Sequence, residues 1–370
     1  MITKGRCLAI ALGAALLGCS PQEPIRIGFA ANITGRAADT GVDARDGALL
    51  AVEELNAKGG IQGRRVELIV KDDQSNPEIA RKVSQELIDA KVVATIGHVV
   101  SGMTQAALPL ANEKKMLLVS PTSVSNTFTG KDDYLIRVSP AAKLATTAFA
   151  DFAFEKIGTR SLAFIYDLGN KSYSEDWYKH FIERYQGLGG KNAFTLTYTT
   201  GPGVNFTSHA TQLLAKKPDG IVIIAGAQDA ALISQRIRNV NQKLPIFIAG
   251  WGMTNELLVN GGSAVEGAYL SYNFDKESKA PAYVAFRTNY EKRFGNPPGF
   301  AAKYSYEAVN LLAQALSKSP RADGTQLKKT IIEQGTFSGL QGDFRIDAYG
   351  DAEAKTLLFK VAKGAFQRID

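Results

Sequence analysis

Residues 25–60 read IRIGFAANITGRAADTGVDARDGALLAVEELNAKGG, and two periods meet in this stretch. Ile25 to Ala30 is an apolar run of strand length. Val42 to Lys58 carries Ala48, Leu49, Val52 and Leu55 at helical spacing and is stopped by Gly59-Gly60. A short buried strand that feeds an amphipathic helix is the unit of parallel sheets, because parallel neighbours need a crossover and the helix supplies it.

The unit recurs along the chain. Val66 to Lys71, Val92 to Ile96 and Met116 to Val119 read as strands, with helical segments at Pro77 to Ala90 and Gly102 to Lys114. After Val138-Ser139-Pro140 the rhythm restarts, with strands expected at Leu162 to Tyr166, Phe194 to Tyr198, Ile221 to Ala225 and Ile246 to Ala249. Two long helical stretches follow, Pro281 to Phe294 and Ala301 to Lys318, before a closing strand at Leu357 to Val361. The fold class is therefore α/β: two doubly wound parallel-sheet lobes, helices on both faces, joined by short hinge crossings rather than a flexible linker. A chain of 370 residues exceeds one typical core, which agrees with two lobes.

Both cysteines, Cys7 and Cys19, fall in the first nineteen positions, so no disulfide framework is spread through the fold. Lys4 and Arg6 precede an apolar run from Leu8 to Gly18, and small Gly18 stands before Cys19, the pattern of a secretory leader. A helix of that length rises only ~16 Å and cannot cross a ~30 Å hydrocarbon core. Leu16-Leu17-Gly18-Cys19 also resembles the bacterial lipobox. On that reading residues 1–18 are a signal peptide, Cys19 is lipidated, and residues 19–24 tether the folded body outside the cytoplasm, in the periplasm or at the cell surface.

Composition excludes several function classes. The chain is 45% hydrophobic and 21% charged, with a net charge of +7 that falls to +5 when Lys4 and Arg6 leave with the leader. Its basic residues are dispersed and lack interleaved aromatics, so no nucleic-acid surface is expected. The histidines, His98, His180 and His209, carry no metal-ligand spacing and read as surface or strand-end residues. There is no nucleophile elbow, phosphate loop or dinucleotide fingerprint. Asp72-Asp73 reads as a strand end that caps the next helix, with Ser75-Asn76-Pro77 as the turn. No enzyme, cofactor or metal is expected.

Two consecutive strands run into junctions rich in small hydroxyl residues, Gly97 to Thr104 and Ser120 to Asn126. Free N–H groups at a helix start, with a serine or threonine hydroxyl, make a site for a carboxylate, and open α/β sheets place ligands at such strand ends. By sequence alone, Ser101 and Ser125 also fit as plain N-caps.

With these residues in view, the chain resembles the extracytoplasmic solute-binding proteins of branched-chain amino-acid-type ABC importers, the type I periplasmic binding fold. The resemblance rests on Ile27-Gly28 through Thr34-Gly35, Gly47 to Asn56 with Gly59 to Arg64, and Asp72 to Pro77. Gly97-His98 with Ser101, Ser120-Pro121-Thr122, and Gly130 to Tyr134 leading to Arg137 continue it. It implies lobes joined by three crossings, with residues 25–139 and 272–345 in lobe 1 and residues 140–271 and 346–370 in lobe 2. It also implies closure on a small solute and docking on permease subunits. Ser101 takes the place of the serine that receives a ligand carboxylate. Thr122 falls where a backbone carbonyl receives the ammonium. Val124 stands where the family often has threonine, leaving Ser123 or Ser125 to supply a hydroxyl, and Tyr173 matches the aromatic that covers the ligand.

The departures bear on the ligand. Trp251 stands where amino-acid binders place a carboxylate against the ammonium, and Ala227 or Gln228, followed by Asp229, where they often have tyrosine. Either Asp229 replaces the missing partner or the ligand lacks an ammonium, since an unpaired buried cation forfeits a charge-assisted bond of ~1.5–3 kcal/mol. The expectation is an amino acid, branched-chain or similar and apolar. The alternatives are a small aromatic or aliphatic carboxylate in the same transport role, or a ligand-presenting sensory protein.

Overall fold

The computed structural model describes residues 22–35 and 37–369. The leader, Cys19 and the first part of the tether lie outside the described residues. The stretch that opened the sequence analysis forms β1 (Ile25–Ala31) and α1 (Ala38–Ala57). β1 is buried at every position but Arg26, because both faces of its sheet are covered.

β2 (Val66–Asp72), α2 (Pro77–Asp89), β3 (Thr95–Gly97), α3 (Ser101–Lys114), β4 (Leu118–Ser120) and β5 (Leu135–Arg137) complete a parallel sheet of order β2-β1-β3-β4-β5. α2 begins where Asn76 Oδ1 accepts from the Glu78 and Ile79 N–H groups and Pro77 presets the first turn. Asn76, and not the Asp72-Asp73 pair, is thus the cap, contrary to the sequence reading. Asp72 instead accepts from the Ile33 and Gln74 N–H groups, at 3.0 and 2.9 Å.

The second sheet repeats the pattern. α4 (Lys143–Asp151), β6 (Ser161–Asp167), α5 (Lys171–Gly187), β7 (Lys191–Tyr198), α6 (Phe206–Ala215), β8 (Gly220–Ile224), α7 (Ala227–Arg238), β9 (Ile246–Ile248), α8 (Asn255–Gly261) and β10 (Tyr269–Tyr272) follow in order. The parallel order β7-β6-β8-β9-β10 matches that of the first sheet, strand for strand. Its core is aromatic, with Phe149, Trp177, Phe181 and Phe247 in edge and stacked contacts.

The chain then returns to the first lobe. α9 (Pro281–Phe294) and α10 (Phe300–Lys318) pack against α1, and α11 (Gly324–Gln334) packs on α10. β11 (Thr336–Phe337), β12 (Phe344–Ile346) and β13 (Ala352–Glu353) form a small antiparallel sheet. Buried Arg137 holds this segment to lobe 1, donating to Asp351 Oδ1 at 2.8 and 2.6 Å and to the Ser125 carbonyl at 2.8 Å. The expected boundary at 345 falls inside β12, within a paired sheet. β14 (Leu357–Ala362) and β15 (Ala365–Arg368) then add an antiparallel edge to the second sheet. The chain crosses between the sheets three times, after β5, β10 and β13. Among the described residues no helix is long and apolar enough to cross a membrane.

Candidate ligand-binding cleft

Gly97 ends β3 with φ +132°, and a Cβ there would stand 2.2 Å from the Ala30 carbonyl oxygen, so glycine alone fits between the strands. The next residue, His98, is fully buried rather than a surface residue. Its Nδ1 lies 2.6 Å from Asp73 Oδ2 and its Nε2 3.1 Å from Ser84 Oγ. The His98 carbonyl accepts from the hydroxyls of Thr104, Ser120 and Ser123, at 3.1, 2.9 and 3.1 Å. These bonds tie both hydroxyl-rich junctions into one buried network, which fixes where α3 begins.

α3 starts at Ser101, and its cap residue Val100 offers no side-chain bond. Ser101 is thus the first residue of the helix and not its cap. Ser125 does cap a short turn, accepting from the Thr127 N–H at 3.3 Å. Ser101 lines a cleft of about 320 Å³ between the two sheets, at the carboxyl ends of their strands. Its hydroxyl makes no protein hydrogen bond among the described residues. The Gly102 N–H is already taken by Asn170 Oδ1 across the cleft, at 3.0 Å.

Lobe 1 supplies Thr40, Val99, Val100, Thr122, Val124 and Phe300 to this cleft, and lobe 2 supplies Asn170, Tyr173, Trp251 and Tyr272. Among the described residues no charged side chain lines it. The positive end of α3 gives it a charge bias that favours an anion. The Tyr173 hydroxyl lies 3.4 Å from the Trp251 N–H as acceptor, and the two rings meet edge to face at 5.9 Å. Burial raises the pKa of the Tyr173 and Tyr272 hydroxyls, so both stay protonated as neutral donors. Tyr272 reaches across to Phe300, with ring centroids 4.7 Å apart.

Behind Trp251 lies a second chamber of about 250 Å³, lined by Ala37, Asp39, Asp167, Thr200, Gly226, Ala227, Gln228, Asp229 and Trp251. The Asp229 carboxylate accepts from the Tyr198 and Thr200 hydroxyls, at 3.0 and 2.5 Å. The structure thus brings Ser101, Thr122, Val124, Tyr173 and Trp251 to one cleft and puts Gln228 and Asp229 on the far side of the indole. Ser123 reaches neither chamber: its hydroxyl bonds Thr104 and the His98 carbonyl, so it cannot replace the hydroxyl missing at Val124. Ser125 is also spent, on the Thr127 hydroxyl at 2.8 Å.

Sequence reasoning passed over Thr40, Val99, Val100, Asn170, Tyr272 and Phe300. Thr40 and Asn170 carry the same signal as the others, small polar residues where a strand runs into a helix. Tyr272 and Phe300 carry no local signal, since they come from the second crossing and the start of α10. Among the described residues no group of His, Cys, Asp and Glu side chains could hold a metal ion.

The profile of the periplasmic binding protein family matches residues 24–365. A Leu/Ile/Val-binding protein homologue of Brucella abortus (strain 2308) is 27% identical over 366 residues, covering 96% of this chain and 95% of the relative. The crystal structure of a leucine-binding protein from Thermotoga maritima aligns with a TM-score of 0.85 at 26% identity, covering 94% of this chain and 98% of that one. A solute-binding protein from R. palustris in complex with benzoate aligns with a TM-score of 0.84 at 20% identity, covering 94% and 95%. Two lobes of one strand order, closed over a cleft at their strand ends, agree with these likenesses in fold. The chain belongs to the periplasmic binding protein family, as a type I solute-binding protein of the branched-chain amino-acid class of ABC transporters.

Proposed function

We propose that this chain is the extracytoplasmic binding component of an importer, held to a membrane by a lipid on Cys19, and that it closes on a small carboxylate with an apolar body. Lobe 1 comprises residues 25–139 and 273 to about 353, and lobe 2 the rest of the folded chain. The ligand carboxylate sits on the Ser101 hydroxyl at the start of α3, and Thr122 and Val124 flank it. Tyr173 and Trp251 cover the apolar body from lobe 2. Closure makes the two lobes' outer faces a single surface that permease subunits read as occupancy.

The observation that carries this reading is the absence of any charged side chain among the described residues that line the cleft. A buried ammonium there would have only neutral oxygens and ring faces as partners, whereas a carboxylate meets a hydroxyl and a helix N-terminus. Asp229, one of the two alternatives for the missing ammonium partner, lies beyond the indole and is engaged by Tyr198 and Thr200. A branched-chain amino acid is the second reading. It is favoured by the names of the Brucella and Thermotoga relatives and by Asp229 standing one ring away from the cleft.

Leucine and its deaminated analogue 4-methylpentanoate isolate the ammonium, and benzoate adds a planar acid. At a concentration of 100 times Kd a ligand adds ~2.7 kcal/mol of stability, a readily measured rise in Tm. The analogue and benzoate are expected to raise Tm more than leucine. Stabilisation by leucine alone would establish the amino-acid reading instead, and no response to any carboxylate would remove the proposed role.

A further inference from the structure

Asn170 stands at the cap position of α5, yet its side chain makes no capping bond to that helix. It reaches across the cleft instead, where its Oδ1 lies 3.0 Å from the N–H of Gly102, the second residue of α3. A backbone N–H only donates, so the atom that faces it must be the amide oxygen, and this bond fixes which way round the amide stands. Nδ2, at the other end of the same planar group, then carries two N–H donors, and neither has a hydrogen-bond partner among the described residues. Asn170 is 5% exposed and lines the cleft. Buried donors are normally satisfied, so a pair held at the cleft wall is available to what the cleft receives.

The surroundings decide what that is. Ser101, the residue before Gly102, is 2% exposed, lines the same cleft and has an uncommitted hydroxyl. The Asn170 amide is therefore tied to the very turn of α3 that carries Ser101, at the positive end of the helix. The Tyr173 and Tyr272 hydroxyls, also on the lobe 2 side, can turn to donate or to accept. The amide cannot. Half a turn would set its hydrogens against the Gly102 N–H, so Nδ2 receives only an acceptor, and an ammonium or an alkyl end gains nothing from it.

We infer that Asn170 is a ligand-binding residue whose side-chain amide donates to the carboxylate held by Ser101, while its oxygen stays on Gly102. One side chain of lobe 2 then holds both the solute and the helix of lobe 1 on which the solute sits. This rests on the proposed reading of the cleft and names the lobe 2 partner of the carboxylate within it. Asn170 thereby determines specificity, because closure gains from an acceptor at that end of the solute and from nothing else there.

The test is isothermal titration of the purified protein with acids and their primary amides: benzoate with benzamide, 4-methylpentanoate with 4-methylpentanamide, and leucine with leucinamide. In the unaltered protein at least one acid is expected to bind about tenfold or more tighter than its amide. Asn170→Asp keeps an oxygen for Gly102 but replaces the donor pair by an oxygen that repels an acid and accepts from an amide N–H. The acid-to-amide ratio of that pair should fall about a hundredfold or more, with the amide itself bound tighter than by the unaltered chain. Asn170→Ser removes the amide without adding charge and should lower the ratio about tenfold. Both members of a pair need the same closure, so the ratio does not depend on the fraction closed.

An unchanged ratio in both variants, or an equal loss of acid and amide, would overturn the contact and leave Asn170 only holding the lobes together. A fall confined to Asn170→Asp, with no gain for the amide, would be charge acting from a distance and would overturn it as well. If one variant fails to fold, the other decides. Acids that bind with an unchanged ratio would sink this inference alone, while failure of every acid to bind, leucine included, would sink the carboxylate reading and the contact with it.

Discussion

Ser101 concentrates the binding chemistry in one side chain. It opens α3 beside the cleft with an uncommitted hydroxyl, while its neighbour Gly102 is already bonded to Asn170. A hydrogen bond from a hydroxyl to an ionised carboxylate contributes ~1.5–3 kcal/mol. Ser101→Ala should therefore weaken binding of a carboxylate ligand by about tenfold to a hundredfold, with the thermal midpoint of the unliganded protein little changed. Unaltered affinity in titration calorimetry would place the carboxylate elsewhere. Asp43 shows the opposite case, a charge that burial penalises. Burial pushes its carboxyl up to about 6, although the Gly299 and Ala302 N–H groups and the Tyr290 hydroxyl bond it and pull it down. Because the folded value exceeds the unfolded one, the folded protein holds the extra proton between about pH 4 and 6. Stability from this group is then gained as pH falls through that window and is missing at neutral pH, by on the order of 3 kcal/mol. Asp43→Asn should flatten that part of the stability curve relative to the unaltered chain, as read by urea melts at pH 4.5 and 7.5. Parallel curves would refute the assignment.

Among the elements, α1 and α10 pack against each other in lobe 1, and a glycine sets how close. A Cβ on Gly47 would lie 2.1 Å from the Ala302 carbonyl oxygen, so the backbones touch where a side chain would otherwise hold them apart. Alanine gains ~1 kcal/mol of helix propensity over glycine, but forcing packed helices apart costs ~1–3 kcal/mol and moves the Phe300 end of α10 that lines the cleft. Gly47→Ala is expected to lower the urea midpoint and weaken ligand binding together, and a raised midpoint would contradict it. α9 and α10 were legible in the sequence almost to the residue, expected at Pro281 to Phe294 and Ala301 to Lys318, while α1 begins four residues before the expected Val42. β5, α11 and the small sheet β11-β12-β13 were not. They are two to three residues long as strands, or carry mixed polarity, and their pairing partners lie far away in sequence.

Over the whole molecule, closure is held by bonds that reach from one lobe to the other. Asn170 accepts from Gly102, Thr254 donates to Asp39 at 2.8 Å, and Asp176 Oδ2 accepts both the backbone and side-chain N–H of Asn126, each at 2.8 Å. The apparent affinity of a ligand that needs the closed form scales with the fraction closed. Asp176→Ala removes two of these bonds without touching the cleft. It should enlarge the unliganded protein's radius of gyration in X-ray scattering and weaken ligand binding by about tenfold, since bonds to a charged acceptor are worth ~1.5–3 kcal/mol. Unchanged scattering together with unchanged affinity would show that these contacts do not set the equilibrium. Membership of the periplasmic binding protein family implies an extracytoplasmic setting for this motion.

The sequence by itself determined the two-lobed α/β architecture. Strand and helix periods are local properties, written within ten to twenty residues, and their restart after Val138-Ser139-Pro140 marked the second lobe. It also marked Ser101 and Thr122, because a strand running into a helix is itself a local signal, whereas Tyr173 was named only through the family resemblance. Only the tertiary structure decided which side of Trp251 each polar group occupies. Asp229 follows β8 and Trp251 follows β9, yet the indole stands between that carboxylate and Ser101 because two sheets close face to face. The burial of His98 on Asp73 and the turning of Ser123 away from the cleft are decided in the same way. Each depends on partners many residues distant, whose positions follow from packing rather than from any period along the chain.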